Sequence, residues 1–158
     1  MTTLRLTNGF RHHIRYVLPG CLLLWLTSGS AAAAAIDSEH EAPSYLKGAL
    51  IINASDLKEM RADMPDLVII DTRDAPALES TIRGAIRLTD RETTPSRLIS
   101  MIPDKQTPVV FFGESARAIN SFKAARKTIN YGYVNVFWMR GGIEEWNAKG
   151  YPLEASQQ

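Results

Sequence analysis

The chain has 158 residues, 45% of them apolar, and a formal net charge of +1. This balanced charge gives no reason to expect nucleic acid or an anionic membrane surface as a partner. The one cysteine, Cys21, excludes an internal disulfide framework, and with only three histidines no Cys and His cluster is available for zinc. We therefore predict neither a cofactor nor a metal site.

Residues 1–35 are predicted to be a signal peptide. A polar stretch with three arginines and no acid precedes an apolar core at residues 17–26, and small residues follow as far as Ala35. This order is typical of a secretory signal, with cleavage near residues 33–35. The expected location is periplasmic or secreted. The exported part would carry 15 basic against 17 acidic side chains and no thiol.

Two other interpretations of the N-terminus are open. Residues 17–36 are about long enough to span a bilayer, so the segment would be an anchor if it stays uncleaved. A lipoprotein site at Cys21 fits less well, because most of the apolar core comes after that cysteine instead of before it. A membrane is thus a partner only if the N-terminal segment is retained.

The exported part is predicted to hold one domain, since about 120 residues suffice for a single core. Residues 36–48 contain Pro43 and several acids with little apolar content, which is typical of a linker. The folded domain is expected at residues 49–154, followed by a short tail at residues 155–158.

Short apolar runs alternate with helical periods along this domain. Strands are predicted at residues 49–52, 67–71, 84–88, 108–112 and 134–138. The runs at 67–71 and 108–112 are continuous, as in strands buried on both faces. Such alternation predicts an α/β fold with a parallel central sheet flanked by helices.

Helix starts are marked by capping residues. Asn53 is a good N-cap with Asp56 three residues later, and Thr94 is followed by Pro95. A third helix follows the strand at 108–112, and its expected buried stripe consists of Ala118, Phe122, Ala125 and Ile129. Residues 143–149 form the last predicted helix. A turn with positive φ is expected at Gly141 and Gly142 before it.

Five segments together resemble one known family. They lie in the right order at residues 68–73, 82–86, 132–136, 141–146 and 150–152. The first is similar to the apolar-Asp-x-Arg motif of the rhodanese-like domain, and the second to its I-x-G-A-I segment. The resemblance covers about residues 49–154 and implies the same α/β fold.

The resemblance also implies where chemistry would occur. In the family, the strand equivalent to residues 109–112 ends in a cysteine that carries sulfur from a donor such as thiosulfate to an acceptor. A loop of inward-pointing backbone N–H groups holds the anionic sulfur and lowers the thiol pKa. Both flanks of the loop place Gly113 at this cysteine position. A second register, which aligns Arg117 with the family's arginine, places Phe112 there. Neither residue is a nucleophile.

The loop also lacks a substitute nucleophile. Ser115 is its only hydroxyl, and a serine needs a base for activation. His12 and His13 lie in the predicted leader and His40 in the predicted linker, so no Ser-His pair is expected within the domain. We therefore predict no catalytic residue.

The candidate ligand loop is instead a binding element. Its residues are Gly113, Glu114, Ser115, Ala116, Arg117 and Ala118. Asp71 and Arg73 are expected to support this loop through hydrogen bonds, as the resemblance implies. The Glu114 charge would repel an anion, and Arg117 would either compensate for it or be solvated.

Three functions follow from these expectations. The leading one is an exported, non-catalytic binding or regulatory module, whose partner is an unidentified periplasmic protein or a small anion. The second is a sulfurtransferase-related protein whose loop cradles a sulfur anion while a partner supplies the thiol. The third is a membrane-tethered scaffold with an uncleaved N-terminal segment.

Overall fold

The computed structural model describes residues 42–74 and 80–156 of the chain. The predicted signal peptide, Cys21 and the first part of the predicted linker lie outside these ranges. Within them, no helix is both long and apolar enough to cross a lipid bilayer.

Five parallel strands form the central sheet. They are β1 (Ala49–Ile52), β2 (Val68–Asp71), β4 (Ala85–Arg87), β5 (Val109–Phe112) and β6 (Val136–Met139), in the spatial order β1-β6-β5-β2-β4. All five overlap the predicted strands. Two short strands were not predicted: β3 (Ser80–Ile82) and β7 (Leu153–Ala155) pair antiparallel in a separate sheet.

Helices cover both faces of the central sheet. The helices α1 (Ala54–Asp63) and α4 (Gly142–Ala148) pack on one face, while α2 (Pro95–Met101) and α3 (Ile119–Asn130) pack on the other. The central strand β5 is fully buried, with Val109 and Phe111 in one apolar cluster and Val110 and Phe112 in the other. This burial on both faces explains its continuous apolar run. The predicted α/β fold is confirmed.

Both predicted helix starts are confirmed by their cap geometry. The Asn53 side chain accepts hydrogen bonds from the Ser55 and Asp56 amides at 2.7 and 3.1 Å. The Asp56 carboxylate in turn accepts from the Asn53 amide at 2.8 Å, which completes a capping box. The Thr94 hydroxyl accepts from the Arg97 amide at 3.3 Å, with Pro95 in the first turn.

The buried face of α3 differs from the predicted stripe. The helix begins after Ala118, and its fully buried residues are Ser121, Ala124, Ala125 and Thr128. Phe122 and Ile129 are only partly buried. Hydroxyl groups can lie on this face because the Thr128 hydroxyl donates to the Ala124 carbonyl at 2.9 Å. The Ser121 hydroxyl likewise accepts from the Trp138 indole at 3.0 Å.

The second part of the predicted linker packs against the domain. In residues 42–46, which we call the strap, Ala42 and Leu46 are only 3% and 4% exposed and join the cluster beneath α3. The Arg140 guanidinium donates to the Pro43 carbonyl at 3.2 Å and to the Ala42 carbonyl at 3.4 Å. Composition did not reveal this attachment, because two apolar side chains and backbone groups of the strap make it.

Candidate functional site

The candidate ligand loop lies at the carboxyl edge of the parallel sheet. It connects β5 to α3, and the residues that follow β2 and β6 reach the same edge. This is the edge at which open α/β sheets bind ligands. A cleft of about 280 Å³ opens here, lined by Arg73, Asp74, Gly113, Glu114, Ala118 and Asn120.

Gly113 is buried at the start of the loop. A Cβ atom built on it would lie 3.0 Å from the Ala118 Cβ and 3.2 Å from the Ser121 hydroxyl oxygen. Both separations are shorter than ordinary van der Waals contact. A side chain at position 113 would therefore require Ala118 and Ser121 to move by a few tenths of an ångström.

The first turn of α4 holds the loop from the other side. The Ile143 and Glu144 amides donate to the Gly113 and Glu114 carbonyls, each at 3.0 Å. Gly142 has φ of 65°, as the predicted turn requires, whereas Gly141 has φ of −64° and does not need glycine for this reason. The loop carbonyls thus satisfy amides at the start of α4, which have no intrahelical acceptor.

Some backbone amides in the outer part of the loop are hydrogen-bonded within the loop, and others remain as donors. The Ala118 amide donates to the Ser115 carbonyl at 3.0 Å, and the Arg117 amide to the Ser115 hydroxyl at 3.3 Å. The amides of residues 114–116 have no acceptor among the described residues. Among the residues that the structure describes, no side chain caps the N-terminus of α3. The loop therefore offers hydrogen-bond donors and a helix N-terminus to a ligand.

Asp71 and Arg73 form a buried ion pair below the cleft. The Arg73 guanidinium donates to Asp71 through Nη2 at 2.6 Å and Nε at 2.9 Å. The Thr81 hydroxyl donates to Asp71 at 2.8 Å, and Arg73 Nη2 also donates to the Ser80 carbonyl at 2.8 Å. These contacts tie the end of β2 to β3, and support of the candidate ligand loop by the pair stays a prediction.

Glu114 lies beside Arg73 at the mouth of the cleft. Its Oε2 atom is 3.7 Å from Arg73 Nη1, and the Glu114 side chain is 65% exposed. This pairing could not be predicted from local patterns, because 41 positions separate the two residues along the chain. Arg117 is exposed and forms no ion pair with any described residue.

The strap adds two contacts that sequence reasoning missed. The Ala42 amide donates to the Arg117 carbonyl at 3.2 Å, and Arg140 holds the Ala42 and Pro43 carbonyls.

The described ranges contain no histidine and no cluster of His, Cys, Asp and Glu able to hold a metal ion. Ser115 thus has no imidazole nearby within the part of the chain that the structure describes.

Comparison with known families decides the classification. The family model described as the rhodanese-like domain matches residues 53–149. The chain belongs to the rhodanese-like domain family. Cys21 lies outside the matched residues.

Relatives of this rhodanese-like protein include a curated sulfurtransferase from Allochromatium vinosum. The two are 30% identical over 107 residues, which cover 67% of this chain and 95% of the relative. This match extends along almost the whole of that protein.

Solved structures share the fold at lower identity. A Bacillus halodurans protein matches with a TM-score of 0.58 at 19% identity, covering 77% of this chain and 82% of that one. The rhodanese-like domain of an Anabaena protein gives 0.56 at 22% identity, with coverages of 70% and 81%. A Pseudomonas aeruginosa thiosulfate sulfurtransferase gives 0.58 at 24% identity, covering 70% of this chain and 21% of that one. These likenesses support the fold alone.

Proposed function

We propose that this rhodanese-like domain is a non-catalytic recognition module whose ligand-binding element is the loop at residues 113–118. It would bind a protein or a small anion without carrying sulfur. The observation that supports this most directly is the environment of Gly113, where Ala118 and Ser121 already occupy the space next to the missing side chain.

The backbone favours Gly113 over Phe112 as the position of the family's cysteine. Phe112 is the last residue of β5, pairs with Asp71 and Met139, and is fully buried in the cluster beneath α4. Gly113 is the first residue beyond the strand, at the opening of the loop. Gly113 lines the cleft, whereas Phe112 does not, and a sulfur-carrying side chain has to face the cleft.

The loop remains suited to binding although it has no nucleophile. Its inner carbonyls are held by α4, while the amides of residues 114–116 have no acceptor among the described residues. A loop fixed on one side and donor-rich on the other loses little conformational entropy on binding. The backbone amides of the loop can therefore bind a ligand without a thiol at position 113.

A sulfurtransferase assay tests the proposal. Purified protein, incubated with thiosulfate and cyanide, is expected to form thiocyanate no faster than the uncatalysed background. The matched control is the same preparation with Ser115→Ala, which should behave identically. Robust, protein-dependent thiocyanate formation would contradict a non-catalytic role.

A second candidate function is a sulfur-handling role in which a partner protein supplies the thiol. The unpaired loop amides favour it, because such donors suit an anionic sulfur group. It predicts weak, strongly salt-dependent binding of thiosulfate or sulfite. Calorimetry that detects no heat with either anion would count against it.

The leading proposal includes export of the protein after cleavage of its N-terminal segment. In the alternative, that segment is retained and tethers the domain to a membrane. Both rest on the N-terminal sequence, which lies outside the described residues. Mass spectrometry of the native N-terminus separates them. A start near residue 36 supports an exported module, whereas an intact residue 1 supports a membrane-tethered scaffold.

A further inference from the structure

Glu114 lies on the side of Arg73 that would otherwise face a ligand in the cleft. Arg73 uses Nε and Nη2 to bind Asp71 and Ser80, so Nη1 is the guanidinium nitrogen without a hydrogen bond to these residues. That nitrogen faces Glu114 Oε2 at 3.7 Å. The edge of Arg73 that remains for an anion is therefore already opposite a carboxylate.

The backbone of Glu114 is held by a hydrogen bond to α4. Its carbonyl accepts a hydrogen bond from the Glu144 amide at 3.0 Å, next to the equivalent bond from Ile143 to Gly113. Although the Glu114 side chain is largely exposed, its point of attachment is held at the mouth of the cleft. Its carboxylate thus starts from the mouth of the cleft and reaches Arg73 there.

Within the described lining of the cleft, no unpaired cation offsets this carboxylate. The Arg73 charge is already paired with the buried Asp71. The second acid of the lining, Asp74, lies 3.4 Å from Arg91, and both of these side chains are exposed. Arg117 is exposed and is not part of this lining. A small dianion that enters the cleft therefore meets the carboxylate, while the one cation of the described lining is already paired.

We propose that Glu114 is a specificity-determining residue that acts as a built-in anion. It takes the place of an external oxyanion beside Arg73 and excludes small dianions from the loop. Of the two ligand classes of the proposed function, the cleft therefore favours a protein, through neutral or hydrogen-bond-donating groups of that protein. This rests on the proposed function, because it assumes that residues 113–118 are the recognition site.

The test is a titration of sulfate and of thiosulfate, at constant ionic strength, into the wild-type protein and two variants. Glu114→Gln removes the charge at the cleft, and Glu59→Gln removes the same charge from the exposed face of α1. Glu114→Gln should tighten binding of both anions about fivefold. Glu59→Gln should leave the affinity as in wild type.

The site of binding is read from amide chemical shifts. The gain in Glu114→Gln should move the amide signals of residues 114–116. Glu114→Ala is a second variant, which should show the same gain without an amide side chain at the mouth. Unchanged affinity in both variants, or a gain that leaves these amides unmoved, would overturn the inference. Neither result affects the thiocyanate assay, so failure here is distinct from failure of the non-catalytic role.

Discussion

Gly142 and Gly113 lie so close that a Cβ atom on Gly142 would be 2.5 Å from the Gly113 carbonyl oxygen. The same carbonyl accepts the Ile143 amide at 3.0 Å. The first turn of α4 can therefore approach the loop only while position 142 has no side chain. The position of the candidate ligand loop depends on this contact between the two glycines.

Gly142→Ala is expected to lower the free energy of unfolding by about 3 kcal/mol or more, because the new methyl group would meet backbone atoms that cannot rotate away. The matched control is Gly150→Ala. Gly150 has a nearly equal φ of 67° but nothing within 4 Å of the added atom. That variant should lose only about 1 kcal/mol, through backbone strain alone. Urea titration measures both, and equal losses would contradict the close contact.

Gly113→Ala should be destabilising by about 1 kcal/mol, since its methyl group would press on Ala118 and Ser121. Combining it with Ala118→Gly should recover part of the loss when compared with Ala118→Gly alone. A double-mutant cycle from denaturant titrations gives this coupling. Strictly additive effects would mean that Ala118 does not restrict position 113.

Gly113→Cys tests the donor arrangement of the loop. If the amides and the N-terminus of α3 still point toward position 113, the new thiol should titrate below its ordinary pKa of about 8.5. Absorbance of the thiolate against pH measures this. An unshifted thiol would show that the loop cannot stabilise an anion at that position.

Asp71→Asn should cost about 3–5 kcal/mol of unfolding free energy, because it leaves Arg73 buried without its counter-charge. Asp74→Asn removes an exposed carboxylate that faces Arg91, and it should change stability by less than about 0.5 kcal/mol. Thermal and urea unfolding of the two variants make the comparison. A small effect of Asp71→Asn would contradict the supporting role of the pair.

Stability should fall at alkaline pH through Tyr133. Burial raises the pKa of its hydroxyl above the ordinary value of 10.0. The folded state therefore holds this proton more tightly than the unfolded state. The contribution is complete below about pH 10 and is lost as the pH rises through the folded-state pKa.

Tyr133→Phe isolates this effect. The hydroxyl donates to the Ile102 carbonyl at 2.6 Å, so its removal should cost about 1 kcal/mol at neutral pH. The variant should also lose stability less steeply above pH 10 than the wild type does. Parallel stability curves for the two proteins would show that another group titrates there.

Residue patterns in the sequence predicted the strands of the central sheet better than they predicted the contacts around the candidate ligand loop. The run at β5 predicted a central strand because both of its faces are buried, and the Asn53 cap predicted α1 from local chemistry alone. The strands β3 and β7 were missed because each has three residues and no marked apolar run. Their pairing joins segments about 70 residues apart, which no local pattern encodes.

At the candidate site, too, contacts between distant parts of the chain could not be predicted from local patterns. The resemblance to the rhodanese-like family, and not a local pattern, led to Gly113, Asp71 and Arg73 as candidates. The contact of Glu114 with Arg73 and the strap's bond to Arg117 arise only when separate strand ends meet at one edge. Both depend on the order of strands in the sheet, which short apolar runs do not determine.

The strap has a consequence for anything joined to the N-terminal side of the domain. The Arg117 carbonyl belongs to the candidate ligand loop and also accepts the Ala42 amide. A ligand that displaced the Arg117 carbonyl would break this bond to the strap, and by reciprocity, release of the strap would change the affinity for that ligand by the same factor. The Arg117 carbonyl thus joins the candidate ligand loop to the residues through which the chain enters the domain.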